Sequence, residues 1–278
     1  MKVFTQKSDL LEFATAQSQK NSIGFVPTMG ALHLGHFSLF EKCRTENQIC
    51  IASIFVNPLQ FNNKEDYEKY PRTVDADISI LEKANFDAVF IPDADSFYKD
   101  EILTDLNLGS LVATMEGKFR PGHFEGVYHV VNLLFKYAKP HFAYFGQKDF
   151  QQIAVIRHMV KTEGHKTQVI ASPTIREANG LAMSSRNTRL SPEEFEKAAK
   201  VSQFLLNLNH TIPINAADLN KEFNALTHSL GFTPEYIQMS DPVTLEPIEH
   251  RTNQAAVICI AYQTSTVRLI DNVIWEAN

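Results

Sequence analysis

Short apolar runs alternate with stretches of helical periodicity up to about residue 180 of this 278-residue chain. The runs are continuous, as is typical of strands covered on both faces of a sheet. Between two of them, Val74, Ile78 and Leu81 recur at helical spacing. The predicted strands span residues 23–26, 49–56, 88–91, 141–145 and 167–171. Alternation of this kind predicts an α/β fold, with a Rossmann-like parallel sheet and flanking helices.

The pattern changes after Gly180, where helices are followed by strands without further alternation. Ser191 is a predicted helix N-cap, with Pro192 in the first turn and Glu194 completing a capping box. Helices are predicted to residue 208 and over 216–230, and strands over 235–239, 255–262 and 266–270. We therefore predict a first domain over residues 1–180 and a smaller C-terminal α+β domain over 181–278.

Charge and cysteine content restrict the partners and the compartment. The formal net charge is -6, which gives the chain no general attraction to nucleic acid or to anionic membranes. No apolar run approaches the ~20 residues that span a bilayer, and the amino terminus carries no secretory signal. Cys43, Cys50 and Cys259 lack metal-type spacing. We expect a soluble, cytoplasmic protein with no nucleic-acid or membrane partner.

The segment 27–36, PTMGALHLGH, contains the strongest chemical pattern. It follows a predicted strand and leads into a helix, so its backbone N–H groups and the helix dipole suit a phosphate. His33 and His36 lie three residues apart, on one face of a first turn, and could donate to phosphate oxygens. A polar turn or a metal pair are alternatives, although no further metal ligand is adjacent.

Two later segments could complete a nucleotide site. Residues 146–149, GQKD, follow a predicted strand, and ligands of parallel sheets bind beyond the carboxyl ends of strands. Lys148 offers a positive charge to phosphate, and Asp149 an acceptor to ribose. Residues 183–187, MSSRN, offer two hydroxyls and the guanidinium of Arg186 to a polyphosphate. Each segment alone could be a solvated turn or linker, but together they favour nucleotide binding.

The pair formed by residues 33–36 and 183–186 resembles the signatures of adenylate-forming nucleotidylyl transferases, which include class I aminoacyl-tRNA synthetases. Six ordered motifs then make the chain similar to the pantoate–β-alanine ligase family. They are PTMGALHLGH, VNPLQF, YPRT, RPGHF, GQKD with QQ, and SSRN. One departure is Gln147, where the family usually has Glu, and we expect the substitution to be tolerated because it removes a negative charge beside Lys148.

The resemblance implies an ATP-dependent ligase that condenses pantoate with β-alanine through a pantoyl adenylate and releases AMP and pyrophosphate. It implies Mg²⁺ bound with ATP, with no dedicated metal site in the protein. It also implies a homodimer and a second domain that closes over the nucleotide.

Family positions carry over to this chain residue by residue. The residues with a catalytic counterpart are His36 (the proton donor), His33, Lys148, Ser184, Ser185 and Arg186. The nucleotide-binding positions are Met29, Gly30, Ala31, Leu32, His33, Leu34, Gly35, His36, Gly146, Gln147, Lys148, Asp149, Ile175, Met183, Ser184, Ser185 and Arg186. The positions for pantoate or β-alanine are Gln60, Gln152, Asn57 and Met29. The supporting positions are Arg120, His123 and Asp77.

Some roles and alternatives stay open at this level. Arg120 and His123 lie in a predicted loop that either covers the site or is structural. Asp77 either caps a helix or makes a water-mediated magnesium contact. A nucleotidylyl transferase that leaves the nucleotide on its product would share the paired histidines. A non-catalytic nucleotide-binding regulator and an RNA-binding relative are further alternatives, and the acidic balance argues against the RNA-binding one.

Overall fold

The computed structural model describes residues 1–62, 64–102, 106–208 and 214–277. The chain forms two compact units. The first comprises Met1–Leu108, Phe119–Gln147 and Val155–Ser172, and the second comprises Gly109–Lys118, Lys148–Ala154 and Pro173–Asn278. The predictions of a boundary near residue 180 and of closure over a nucleotide remain predictions. Within the described ranges, no helix combines the length and apolar character that crossing a bilayer requires.

A six-stranded parallel sheet is the centre of the first unit, which confirms the predicted fold class. Its strands are β1 (Lys2–Phe4), β2 (Ile23–Thr28), β3 (Ile49–Ile54), β4 (Ala88–Phe90), β5 (Phe142–Gly146) and β6 (Gln168–Ser172). The spatial order is β1-β4-β3-β2-β5-β6. Because β2 and β5 are neighbours in the interior of the sheet, the residues that follow them leave from the same edge.

Helices cover the sheet and bury the apolar strands. Those outside the second unit are α1 (Lys7–Ser18), α2 (Leu34–Glu46), α3 (Lys64–Glu68), α4 (Val74–Lys83), α5 (Ala94–Tyr98) and α8 (His123–Ala138), with α9 (Phe150–Thr162) shared between the units. One core cluster joins Val26, Phe40, Ala52 and Leu81 beneath α2 and α4. This packing fixes the start of α2 relative to the sheet.

The second unit is built on an antiparallel sheet, as predicted for the C-terminal region. Its elements are α6 (Ser110–Ala113), α7 (Met115–Phe119), α10 (Pro192–Leu206), β7 (Ile214–Asn215), α11 (Ala216–Ser229), β8 (Thr233–Ser240), β9 (His250–Arg251), β10 (Ala256–Gln263) and β11 (Arg268–Trp275). The main sheet has the order β11-β10-β8, and β7 pairs with β9. The capping box is confirmed, since Glu194 N donates to Ser191 Oγ and Ser191 N donates to the Glu194 carboxylate, each over 3.2 Å.

Two differences from the sequence prediction concern the chain ends. The elements β1 and α1 were not predicted, because a three-residue edge strand and a helix with little amphipathic pattern give no clear periodicity. The last strand continues to Trp275, beyond the predicted end at residue 270. The buried polar pair Asp271 and Asn272 interrupts its apolar pattern, and the sequence pattern therefore predicts an end that is too early.

Candidate active site

The loop between β2 and α2 has a backbone shape that few residues adopt. Gly30 has φ 81° and Ala31 has φ 51°, both in the left-handed region. The hydroxyl of Thr28 accepts a hydrogen bond from Gly30 N over 3.2 Å and donates to the carbonyl of Ser53 over 2.7 Å. Glycine is required at position 30, because a Cβ there would lie 2.9 Å from an oxygen of Asp77.

Asp77 holds this loop from α4. Its side chain is buried, and its two oxygens accept hydrogen bonds from Ala31 N over 3.0 Å and from Leu32 N over 2.8 Å. The hydroxyl of Thr73 donates to the same carboxylate over 3.1 Å. Asp77 therefore binds the loop rather than capping its own helix, while Asp75 on that helix is exposed. This places the carboxylate where it fixes the backbone ahead of His33.

His33 and His36 form a reciprocal cap at the start of α2. His33 Nδ1 accepts from Gly35 N over 3.1 Å, and His36 Nδ1 accepts from His33 N over 3.2 Å. An imidazole nitrogen that accepts carries no proton, so both rings are in the neutral form with the proton on Nε2. The ring centroids lie 4.2 Å apart. The fold thus presents Nε2–H of His36 as the group that can donate to a phosphate oxygen.

The environment of His36 keeps its ring neutral. Burial, with a smaller contribution from neighbouring His33, lowers the pKa of His36 to about 3. A neutral donor that is already oriented needs no reorganisation when charge develops on a substrate. The structure therefore supports hydrogen-bond donation by His36 and gives no support to an imidazolium at neutral pH.

Gln60, the glutamine of the first unit that is predicted to bind pantoate, has a fixed position in the fold. Gln60 ends a short 3-10 turn, Pro58–Gln60, and is buried. Its amide nitrogen lies 2.9 Å from Met29 Sδ, and His123 Nδ1 donates to its backbone carbonyl over 2.8 Å. Arg120 is half-buried in the turn just before α8, where its carbonyl accepts from His123 N. Met29, Gln60 and His123 are therefore brought together, while their predicted part in binding the organic acid remains a prediction.

Asn57 stabilises the same turn through four hydrogen bonds. Its amide donates to Gln60 Oε1 over 3.2 Å and to the carbonyl of Gly126 over 3.1 Å. Its oxygen accepts from Leu59 N over 3.1 Å and from the hydroxyl of Tyr98 over 2.7 Å. With its exposed fraction at 1%, Asn57 acts through Gln60 in this structure. Its predicted direct contact with substrate remains a prediction.

A cavity of about 230 Å³ lies beside the loop at the carboxyl ends of β2, β3 and β4. Met29, Gly30 and Asp77 belong both to its wall and to the loop with its support. The other residues of its lining are Ile54, Phe55, Val56, Tyr67, Arg72, Thr73, Val74, Ile91, Pro92, Asp93 and Ala94. The edge of the sheet where the loop lies is thus concave, as binding sites of parallel sheets are.

In the second unit, Lys148 and Gln152 flank a buried structural glutamine. Residues Gln147–Asp149 form a 3-10 turn that follows Gly146 at the end of β5 and precedes α9. Gln151 Oε1 accepts from Glu116 N over 2.9 Å, and its amide donates to two backbone carbonyls of residues 111 and 114. Lys148 and Gln152 are half-buried, whereas Asp149 is exposed. Gln151 therefore fixes this segment while its neighbours remain available for binding.

The serine–arginine segment has the form of a capped turn. Ser184 Oγ accepts from Arg186 N over 3.1 Å at the start of the 3-10 helix Ser185–Arg189. Met183 N donates to the carbonyl of Ile175 over 2.9 Å, which joins two predicted nucleotide-binding residues. The backbone of Arg186 is held in this turn, and the two serines are half-buried. The two hydroxyls and the exposed guanidinium therefore belong to consecutive residues of one capped turn.

Three residues of the site were not predicted individually from the sequence: Thr28, Tyr98 and Gly126. Only Gly126 carried a signal, since a glycine inside an apolar helical pattern often marks a close backbone approach. A Cβ at this position would lie 2.3 Å from the carbonyl oxygen of Leu59. Thr28 and Tyr98 are recognised only from their partners, which the sequence does not disclose.

A parallel sheet that leads through a glycine-containing loop into a helix start with paired histidines has the architecture of the Rossmann-like nucleotide-binding class. The profile of the pantoate-beta-alanine ligase family matches residues 2–274. The chain therefore belongs to the pantoate–β-alanine ligase family.

Similar proteins agree over the full length. The chain is 44% identical to a pantothenate synthetase of Porphyromonas gingivalis, covering 99% of this chain and 100% of the relative. The crystal structure of pantothenate synthetase from Thermus thermophilus has a TM-score of 0.87 and 38% identity, covering 98% and 99% of the two chains. A pantoate-beta-alanine ligase from Francisella tularensis, complexed with beta-gamma ATP and beta-alanine, has a TM-score of 0.82 and 36% identity, covering 99% and 97%.

Proposed function

We propose that this chain condenses pantoate with β-alanine to pantothenate, using ATP and passing through a pantoyl adenylate. Full-length similarity to pantothenate synthetases is the observation that carries the proposal. The relative from Francisella tularensis is complexed with an ATP ligand and β-alanine, which are two of the three substrates assigned here. The pre-ordered loop and the histidine cap of the first unit support the proposal, because backbone and imidazole N–H groups held in this way can donate to phosphate oxygens.

In the first step, a carboxylate oxygen of pantoate attacks the α-phosphorus of ATP, and the bond to pyrophosphate breaks. The nucleophile is already anionic, so the enzyme needs positioning and charge stabilisation rather than a strong base. We assign His36 Nε2–H to the phosphate oxygens, with His33 beside it at the helix start. Residues 29–36 would receive the nucleotide along the loop that Asp77 holds.

Residues of the second unit supply further positive charge and hydrogen bonds in this proposal. Lys148, Ser184, Ser185 and Arg186 are assigned to the phosphates, and Ile175 and Met183 to the nucleotide. The lysine and the two serines are half-buried and therefore partly accessible to an anion. Donors that act together on a developing charge lower the barrier because they are fixed before the reaction.

Pantoate has two hydroxyls and a carboxylate on an apolar core, so its site needs amide groups set in an apolar wall. We assign Gln60 and Gln152 to these polar groups. The braced turn around Gln60, fixed by Asn57 and His123, supports this assignment. In the second step, the amine of β-alanine attacks the acyl carbon, the bond to the phosphate oxygen breaks, and AMP leaves as the amine loses a proton.

Mg²⁺ would enter with the triphosphate and neutralise part of its charge. Among the described residues, no group of three or more acidic, histidine or cysteine side chains could hold a metal ion. The Asp77 oxygens accept from protein donors, so this carboxylate fits loop support better than a metal cage. We also propose a homodimer in the cytoplasm; the free, buried cysteines at 43, 50 and 259 fit a reducing compartment.

The deciding experiment follows the products of the purified chain with ATP, pantoate and β-alanine. We expect AMP and pyrophosphate, and we expect pantoate-dependent exchange of labelled pyrophosphate into ATP when β-alanine is omitted. Release of ADP and phosphate would refute the adenylate route. A nucleotide retained on the product would indicate a different nucleotidylyl transferase, and ATP binding without turnover would indicate a regulator.

The role of His36 has its own test in the same assay. His36→Ala should lower the rate of adenylate formation by about a hundredfold, the usual cost of one pre-oriented donor. His228→Ala, which changes an exposed histidine on α11, should leave the rate unchanged. An unchanged rate in the His36 variant would remove this residue from the chemistry without affecting the proposed reaction.

A further inference from the structure

Two polar residues near the end of the chain are buried in a strand that otherwise packs a core. Asp271 and Asn272 lie side by side in β11, each with 3% of its surface exposed. Burial of polar groups is unfavourable unless they form hydrogen bonds. Their partners lie in segments predicted to bind the nucleotide.

The carboxylate of Asp271 binds Arg176 with both oxygens. Arg176 Nη1 donates to Oδ2 over 2.7 Å, and Nη2 donates to Oδ1 over 2.9 Å. Ser202 Oγ and the backbone N of Asn272 donate to the same carboxylate, each over 2.8 Å. A bidentate pair of this kind fixes the direction of the arginine as well as its position.

Arg176 in turn fixes a short hairpin. It pairs with Ala182 in an antiparallel bridge, and its Nη1 also donates to the carbonyl of Gly180 over 3.1 Å. Gly180 makes the turn with φ 93°. On one side of the bridge, Met183 N donates to the carbonyl of Ile175. The two residues assigned to the nucleotide therefore lie on a hairpin that Asp271 anchors.

Asn272 reaches a different segment of the same unit. Its amide nitrogen donates to the backbone carbonyl of Lys148 over 2.8 Å. The ammonium of a lysine moves on a long flexible stem, and the position of its backbone sets the region that the ammonium can reach. The bond from Asn272 sets that backbone position.

We propose that Asp271 and Asn272 are positioning residues for the nucleotide: Asp271 holds Ile175 and Met183 through Arg176, and Asn272 holds Lys148. This inference rests on the proposed function, because it assumes that the three positioned residues meet ATP. It assigns the last strand a role in the first chemical step, although neither residue needs to touch substrate.

Asp271→Asn tests the first anchor. The amide keeps the shape but can accept from only one Arg176 nitrogen, so the hairpin should loosen. We expect KM for ATP to rise by at least about tenfold, as loss of a charge-assisted bond implies, and KM for pantoate to stay nearly constant. Hydrogen exchange at Met183 N should become faster. Ser202→Ala, which removes another bond to the same carboxylate, should leave both readouts near wild type.

Arg176→Lys provides a second variant if Asp271→Asn does not fold. It keeps the charge but loses the planar fork, so it should also raise KM for ATP and hydrogen exchange at Met183. Equal changes in Ser202→Ala, or a KM for ATP that does not move in either anchor variant, would overturn the role of Asp271. A wild-type chain without turnover would instead refute the proposed function, and hydrogen exchange would still test the anchor.

A double-mutant cycle tests Asn272. Asn272→Ala should lower the rate of adenylate formation by about tenfold if it displaces Lys148, and by less than about twofold when Lys148 is already alanine. Additive losses in the double variant would show that Asn272 acts by a route other than Lys148, and would refute this part of the proposal.

Discussion

At the residue scale, the neutral state of His36 links function to acid stability. Burial and neighbouring His33 lower its pKa from 6.5 to about 3 in the folded chain. As the pH falls, the unfolded chain therefore binds a proton at this histidine at a higher pH than the folded chain does. The free energy of unfolding consequently decreases as the pH falls from 6.5 towards 3.

We predict that His36→Gln, which cannot be protonated, removes this component of acid sensitivity. Between about pH 8 and about pH 5, the free energy of unfolding should fall more in the wild type than in the variant. Denaturant unfolding at both pH values provides the measurement. Equal losses in the two proteins would show that His36 titrates with an ordinary pKa in the fold.

Asp77 allows a second prediction at this scale, with a control on the same helix. Asp77→Ala deprives two backbone N–H groups, those of Ala31 and Leu32, of their acceptor. The expected loss of stability is about 1–3 kcal/mol, the usual cost of an unsatisfied buried donor. Because the loop shape changes, KM for ATP should also rise.

Asp75→Ala is the matched control, since Asp75 is exposed on α4 two residues away. It should leave both the unfolding free energy and KM for ATP unchanged, as surface substitutions usually do. If Asp77→Ala behaved like Asp75→Ala, the carboxylate would not be the support of the loop.

At the element scale, the close approach of the Pro58–Gln60 turn to α8 is the sharpest packing constraint near the site. We predict that Gly126→Ala is destabilising, because its Cβ would meet the backbone carbonyl of Leu59 at 2.3 Å. Overpacking of this kind costs about 1–3 kcal/mol. It should also raise KM for pantoate more than KM for ATP, since Gln60 lies on the displaced turn.

Gly146→Ala is the control for unfolding free energy alone, because a Cβ there would have no atom within 4 Å outside its chain neighbours. Thermal and denaturant unfolding should place it close to wild type. If Gly126→Ala had the stability of the wild type and an unchanged KM for pantoate, the Pro58–Gln60 turn would be shown to move aside without affecting the fold or the site.

The same elements show what a sequence can predict. Apolar runs such as residues 49–56 and periodic segments such as 74–81 indicate strands and helices, because burial acts on each element locally. The paired histidines were predicted as phosphate donors from their spacing. Their tautomers were not, because these depend on which nitrogen accepts a backbone proton. Asp77 had two open roles, helix capping and a water-mediated magnesium contact, but its partners 45 and 46 residues away give it a third, the support of the loop.

At the scale of the whole molecule, chain order and spatial grouping differ. Gly109–Lys118 and Lys148–Ala154 belong with the C-terminal strands, although both lie within the part of the sequence where strands and helices alternate. The sequence pattern does not predict this grouping, because the grouping rests on contacts between residues far apart in the chain. Arg268, for example, binds Glu116 at a separation of 152 residues.

We predict that breaking the ion pair between Arg268 and Glu116 destabilises the fold. Glu116 accepts from Arg268 over 2.8 and 2.6 Å and from the hydroxyl of Tyr236 over 2.8 Å. Glu116→Gln should cost about 1–3 kcal/mol, since it removes the charge of a carboxylate that binds the guanidinium of Arg268 through two bonds, while Glu235 remains as a second partner of that guanidinium. Lys197→Ala, which removes an exposed pair with Glu193, should cost less than about 0.5 kcal/mol. Denaturant unfolding measures both, and similar small losses would show that the segment 109–118 is held by apolar packing instead.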